Sequence, residues 1–549
     1  MDGAPTPLAL RPPETVMRLA RMGSFHPTRL SFMRILLRRV EKEQWRIDRP
    51  IWDIDKSGVG RAVYRVSTPS RRYSLVAFAH DLPDHLRSDR VIAEAWDATF
   101  VLFDGEPSPA DLDRLANEVP LQEAGRMSPT ELTLSRANRS ARLFSHVVEA
   151  LANSRQPAAD ELLSVGYLMR TTAVYGSGKF GLSDREAYAD RPELAAPFQA
   201  EMLTVWLIRA FTVDIVEHLA RTSNLGAARL APKTRRALGV GNSTGLGMAP
   251  FLISHPALVH AWMSTREEAL SRVRALAITP DSWAVFRRAV RFAKANAASW
   301  WSDHSLQQRK IADLRMDLQS IASQERPSNW DTLWRWGEAT LTLEGQEVLF
   351  ALMLEPHWQL VDDLSSHMSV DEEASFPIDA DGTTGALAAL IARNYKWATE
   401  TDWDQAEATA RLWYVSAEKL EPRLAERADE PLDYFEQPLG PARDVAALAG
   451  SLIEWPADTP LSKFLQSMPQ HRHAVRRVQI VAGNPYAEVR DNTLSQEMLP
   501  IDLLRAKLSF FGATRFDPKS DRWVRISMFQ GAPFPDEVGR LPMDHWMYG

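Results

Sequence analysis

The sequence predicts an α+β, predominantly α-helical protein, in which a large helical central domain lies between small antiparallel β-containing N-terminal and C-terminal regions. Three observations carry this expectation. From Ser128 onward, apolar residues return every three or four positions over long stretches such as 132–151 and 202–219, the spacing of helices with one buried face. Residues 60–78 form two runs rich in Val, Tyr, Phe and Leu, joined by Thr68-Pro69-Ser70, the composition of a hairpin. Near the end, residues 475–482, 487–490 and 522–529 alternate β-branched and aromatic side chains between turn signals such as Gly483-Asn484-Pro485 and Asp517-Pro518, which predicts short strands.

In chain order, residues 15–45 form a basic amphipathic stretch ahead of the hairpin. Residues 91–103 (VIAEAWDATFVLF) suit a strand or a helix running into one, with Asp104-Gly105 turning the chain away. Helices are expected at 282–299, 311–323, 384–397 and 403–420, with Pro and Gly mostly between them. The change of pattern divides the chain into 1–125, 126–430 and 431–549, and the Pro-containing residues 427–441 suit a linker. No fixed-period repeat or low-complexity tract is present, so a solenoid is not expected.

Composition sets limits on the chemistry. A chain of 549 residues that is 45% hydrophobic has material for large buried cores. It contains no cysteine, which removes disulfides, thiolate metal ligands and cysteine nucleophiles. A net charge of −7 argues against a surface built as a whole for nucleic acid. The basic run 470–477 has the character of a solvated face or of helix C-terminal charge, so nucleic acid is not an expected partner. No secretory signal is evident at the start and no segment is apolar enough to span a bilayer, so a cytoplasmic protein without a membrane partner is expected. Only eleven of the 64 basic residues are lysine, an arginine bias expected of a GC-rich bacterial genome, with an arginine-based surface.

Two glycine-rich segments carry the candidate chemistry: 174–184 (VYGSGKFGLSD) and 238–251 (LGVGNSTGLGMAPF). Glycine admits positive φ and lets a ligand approach main-chain N–H groups, which suits a phosphate or carboxylate. The first is not a phosphate-binding P-loop, because Ala173 and Phe180 stand where that motif needs Gly and Ser or Thr. In the second, the glycine spacing follows the basic residues 231–236 rather than an apolar strand, which counts against a dinucleotide fingerprint. The same missing strand counts against Gly241-Asn242-Ser243-Thr244-Gly245 as a serine-hydrolase elbow.

Asp379-Ala380-Asp381-Gly382-Thr383 resembles the DxDGT motif of haloacid-dehalogenase-type phosphotransferases over five residues. Pro377 interrupts the strand that chemistry requires, and an acidic turn capping a helix from Thr384 is the preferred reading. Asp214 and His218 lie one helical turn apart with Glu217 beside them, a spacing that would let two side chains share a metal; no metal site is assigned on a pair alone.

The expectation is an enzyme acting on a small anionic metabolite, its cofactor left open and a homo-oligomer compatible with the chain. Gly176, Ser177, Gly178, Gly241, Asn242, Ser243, Thr244 and Gly245 are expected to bind the ligand, with Lys179 supplying charge. Lys179, Tyr175, Asp184 and His255 are the candidate catalytic residues. The alternatives are a non-catalytic helical interaction or scaffold protein and a metal-dependent oxygenase or hydrolase.

Overall fold

The hairpin expected at residues 60–78 is one pair within a far larger sheet. The computed structural model describes residues 6–83, 95–119, 128–176, 190–242, 256–302, 305–366, 368, 376–404, 440–488, 509–510, 512, 515–517 and 525–540. Gly60–Ser67 (β2) pairs with Arg72–Ala79 (β3) in full register from Gly60 opposite Ala79 to Ser67 opposite Arg72. The connecting turn is closed by the Thr68 amide on the Arg71 carbonyl at 2.9 Å and by the Thr68 hydroxyl accepting the Arg71 amide at 2.9 Å. Arg46–Ile54 (β1) flanks β2, and Ala98–Asp104 (β4), Glu131–Arg139 (β5) and Tyr167–Gly176 (β6) follow β3 in antiparallel order. Gly239–Asn242 (β7) pairs parallel to β6 and antiparallel to Arg525–Met528 (β9), which holds Arg515–Asp517 (β8) at the far edge. Among the described residues this is one nine-stranded mixed sheet.

That sheet corrects the expected architecture of a helical central domain between two small β regions. β5, β6 and β7 fall within residues 126–430, expected to be a helical domain, and they unite the N-terminal and C-terminal strands in one sheet. The physical reason shows in β5. Seven of its nine residues are buried, Glu131 to Ser135 without a break, so both faces are covered and the two-residue alternation that betrays a strand is erased. The opposite error occurs at residues 475–482, which lie in the helix Arg472–Gly483. Val475, Val478 and Val481 are buried there at three-residue spacing, and packing of one helical face overrides β-propensity.

The chain divides into two compact units. One comprises 31–245, 511–517 and 525–549 and contains the sheet; the other comprises 1–30, 246–510 and 518–524 and is helical. In the sheet unit, the 25-residue helix Gln199–Ser223 touches strands β3 through β7 and is buried from Gln199 to Val213. Its Thr204 hydroxyl meets that of Thr133 on β5 at 2.7 Å.

The helical unit is punctuated by side-chain caps. Thr279 opens Pro280–Ala298 with a capping box, Asn329 opens Trp330–Thr340, Thr342 opens Leu343–Leu354 and Thr383 opens Thr384–Asn394. The DxDGT segment is thus a capping turn: the Asp379 carboxylate accepts the Asp381 and Gly382 amides, both at 3.2 Å, and Thr383 caps the helix. Leu343–Leu354 is buried at every position from Gly345 to Leu354, which marks it as a core helix. A further core joins Thr384–Asn394, Gly440–Leu452, Leu461–Ser467 and Arg472–Gly483 through Leu387, Ile391, Val445, Leu448, Phe464, Val475 and Val478. The helix expected at 403–420 lies almost wholly outside the described residues.

Arginine is not confined to the surface. Arg11, Arg29, Arg34, Arg38, Arg209, Arg266 and Arg477 are all buried; the guanidinium fork satisfies several acceptors at once and so tolerates burial when they are supplied.

His357 gives the helical unit a pH-sensitive element. Its ring meets Trp330 edge-on at 5.4 Å, and its buried Nε2 has no hydrogen-bond partner among the described residues. Burial, and then the charge of Arg29, push its pKa down from 6.5 to about 4. The imidazole stays neutral in the fold while the unfolded chain takes up a proton, so its stabilisation is complete above pH 6.5 and drains away as pH falls toward about 4. The expected loss is roughly 2–3 kcal/mol, read as a fall in the urea midpoint between pH 7 and 4.5. His357→Phe should flatten that fall, and an unaltered slope would assign it to other groups.

Candidate functional site

Strand register places one row of residues along a single end of the sheet. Tyr73 on β3 stands opposite Asp104 on β4, Phe103 opposite Glu131 on β5, and Thr133 opposite Gly176 on β6. β7 runs parallel to β6 with Thr171 opposite Asn242. Both glycine-rich segments therefore leave the sheet toward this same end, from the C-termini of adjacent parallel strands, the position at which open α/β sheets bind ligands. Their exits are staggered. Gly176 lies five residues beyond Thr171, roughly 16 Å farther along the strand direction than the level of Asn242 at ~3.3 Å per residue.

The described chain resumes at Asp190, which is fastened to the same sheet end. Asp190 bonds Arg71 at 2.5 Å and Arg191 at 2.8 Å, and Arg191 and Arg71 both bridge to Asp104. The exposed Asp190 carboxyl is held below the usual carboxylate range, first by its hydrogen bond from Arg71. Next to it, Glu193 accepts the Tyr73 hydroxyl at 2.6 Å, and Arg39 donates to the carbonyls of Pro192 and Glu193 at 3.0 and 2.8 Å. Burial, then the bond to Glu193, drives the Tyr73 phenol far above its ordinary value, so it serves as a fixed donor rather than a proton carrier. Glu131, at the start of β5, is buried and held by Arg114 at 2.7 Å. The end of the sheet at β3 and β4 is thus a lattice of paired charges.

Of the residues expected to form the site, Tyr175 and Gly176 close β6, and Gly241 and Asn242 close β7. Ser177, Gly178, Lys179, Asp184, Ser243, Thr244, Gly245 and His255 lie outside the described residues. The glycines of β7 have a packing role. A Cβ on Gly239 would sit 2.5 Å from the Met528 carbonyl oxygen, and one on Gly241 would sit 2.7 Å from the Tyr167 ring. Glycine inside a strand marks such close approach, and it conceals β7 in the sequence. A strand does precede Ser243, contrary to expectation: β7 runs directly up to that serine.

Asp214 and His218 are not brought together on one ligand. Asp214 accepts the Tyr64 hydroxyl at 2.6 Å and pairs with Arg49 at 2.7 Å; burial raises its pKa while Arg49 pulls it back. Trp52 Nε1 donates to His218 Nδ1 at 3.3 Å, which leaves Nε2 to donate to the Asp55 carbonyl at 2.8 Å, a neutral tautomer with both nitrogens committed. Glu217 accepts the Leu230 amide at 3.0 Å. Among the described residues no three His, Asp or Glu side chains converge as a metal site, and no helix is long and apolar enough to cross a membrane.

Sequence reasoning missed Arg71, Tyr73, Asp104, Arg191 and Glu193. The one local signal was the charged pair Asp190-Arg191 after the first glycine-rich segment; their partners Asp104 and Arg71 lie 87 and 119 positions away and are brought near by strand register. Comparison with known proteins returns no matching family model, no matching curated protein and no matching solved structure.

Proposed function

We propose that this chain is a cytoplasmic bacterial enzyme acting on a small anionic metabolite, bearing carboxylate or phosphate, bound by its two glycine-rich segments. The observation that carries the reading is the pairing of β6 and β7: two segments 64 positions apart in sequence leave one sheet end from neighbouring parallel strands. Main-chain N–H groups at Gly176, Ser177 and Gly178 are assigned to the anion, with Lys179 supplying charge and Ser243 or Thr244 hydrogen bonds. Tyr175, Asp184 and His255 remain the proton-transfer candidates nearest in sequence. The paired charges at β3 and β4 support this reading as a rigid flank, since their groups are already partnered and leave the ligand to the glycine segments.

The test is calorimetric titration of the full-length protein with inorganic phosphate and with succinate. Lys179→Ala should weaken binding by about 10-fold or more, the worth of one charge-assisted hydrogen bond, with the thermal midpoint unchanged. Equal affinity in the variant, or no binding by the parent protein, rejects the reading in favour of an interaction protein whose glycines serve packing alone.

A further inference from the structure

The helical unit contains a cleft of about 430 Å³ between the start of Thr384–Asn394 and one face of Arg472–Gly483. Its walls are Pro377, Leu387, Leu390, Leu461 and Ile480, and two opposite charges, Arg476 and Asp379, face into it. The segment carrying Asp379 is laced to the helix at two levels. Arg476 Nε donates to the Phe376 carbonyl at 3.2 Å, and one turn later Gln479 donates to the Asp379 carbonyl and accepts its amide, both at 3.0 Å. This lacing fixes the main chain of residues 376–379 against the helix face that carries Arg476 and Gln479.

Neither charge has an ion-pair partner among the described residues. Among the described residues Arg476 has no carboxylate partner, and its two terminal nitrogens make no hydrogen bond; Asp379 spends one oxygen on the Asp381 and Gly382 amides and has no cationic partner. Opposite charges on one wall that do not pair with each other leave room for a molecule carrying both signs between them. A cation that can grip a carboxylate by two parallel bonds, an anion that can accept an ammonium, and an apolar chamber beyond them match three parts of one ligand. The volume lies toward the small end of the ~300–1,000 Å³ of ligand sites, which favours a metabolite over a nucleotide or peptide.

We propose that this cleft binds a free α-amino acid with an apolar side chain, its carboxylate on Arg476, its ammonium on Asp379 and its side chain among Leu387, Leu461 and Ile480. The site is independent of the one assigned to the glycine-rich segments. The probes are L-leucine, 4-methylpentanoate, which lacks the amine, and 3-methylbutylamine, which lacks the carboxylate, titrated into the full chain by calorimetry. L-leucine should bind, and each half-ligand should bind about 10-fold or more weakly. Asp379→Asn keeps the acceptor for the Asp381 and Gly382 amides and should bring leucine down to the level of 4-methylpentanoate. Leu390→Trp keeps both charges, fills the chamber and should abolish binding, with circular dichroism confirming the fold of each variant. Absence of leucine binding overturns the proposal. So does equal binding of leucine and 4-methylpentanoate, or full affinity in folded Leu390→Trp.

Discussion

Replacing Arg209 with methionine is expected to destabilise the sheet unit by about 3–5 kcal/mol, since several buried main-chain carbonyls lose their donor at once. The side chain rises from Gln199–Ser223 into a site where no carboxylate bonds it among the described residues, and its guanidinium donates to the carbonyls of Leu238, Ala532, Arg236 and Pro533 at 2.6, 2.7, 3.1 and 3.4 Å. Burial, and then Arg235, works against its charge. Four main-chain carbonyls and the Phe534 ring, 3.9 Å from its central carbon, answer that cost. Arg235 sits 4.0 Å from the same ring and is held bidentate by Asp536 at 2.8 and 2.9 Å. Trp206 adds a bond from Nε1 to the Pro533 carbonyl at 2.9 Å. One arginine therefore fastens β7 and residues 532–534 to the helix behind the sheet. Methionine fills the volume but leaves the carbonyls without donors, and each buried orphan costs ~1–3 kcal/mol. Lysine, a point donor on a shorter reach, should recover less than half. Urea unfolding measures the loss, and amide exchange at Val240 and Met528 locates it; a loss below about 1 kcal/mol would mean water replaces the guanidinium at little cost.

The second large effect is expected at Glu347, midway along the core helix Leu343–Leu354. Its carboxylate takes Arg11 at 3.1 Å and Arg21 at 3.2 Å on one oxygen and Arg266 on the other. Glu267 holds Arg11 at 2.7 and 2.8 Å. Among the described residues bonded directly to one another, three guanidiniums face two carboxylates, one surplus positive charge, and burial, then repulsion from Arg11, lowers the Arg21 pKa to about 10. The rings of Trp334 and Phe350 take up part of the excess, at 5.1 Å from Arg11 and 4.4 Å from Arg266. Glu347→Gln raises the surplus to two charges and is expected to cost about 3–5 kcal/mol. Glu347→Leu combined with Arg266→Met restores the original balance and removes two desolvated ions, so the double variant should be more stable than Glu347→Gln. Guanidinium-induced unfolding of the three proteins decides it. If the double variant is the least stable, the cluster contributes through its geometry and not its charge balance.

The caps at Thr279, Asn329 and Thr342 are local, yet the helix from Pro280 was expected only from 282 and those from Trp330 and Leu343 were not expected. The start at Thr384 was legible, because the Thr383 bond that caps it spans three residues. The Asp379 turn and the residue 60–78 hairpin belong to the same class. β5 and β7 were not legible. A strand covered on both faces loses its alternation, and a strand of two glycines imitates a turn until the Met528 carbonyl and Tyr167 ring that require them are in view. The candidate site divides the same way. Gly176, Lys179 and Ser243 attract notice by composition, whereas the parallel pairing that sets their strands side by side is a long-range event.

Composition, one cap and short-range periodicity thus established a large cysteine-free chain, several of its helices and one hairpin, because those depend on interactions spanning a few residues. Tertiary structure alone decided that the sheet draws on both ends of the chain, and that Arg11, Arg209 and Arg266 are internal fasteners instead of solvent charges. The reason is energetic. A buried guanidinium or a glycine strand is unfavourable by every local measure and becomes favourable only when acceptors and close neighbours arrive from distant positions, and no window of sequence contains them.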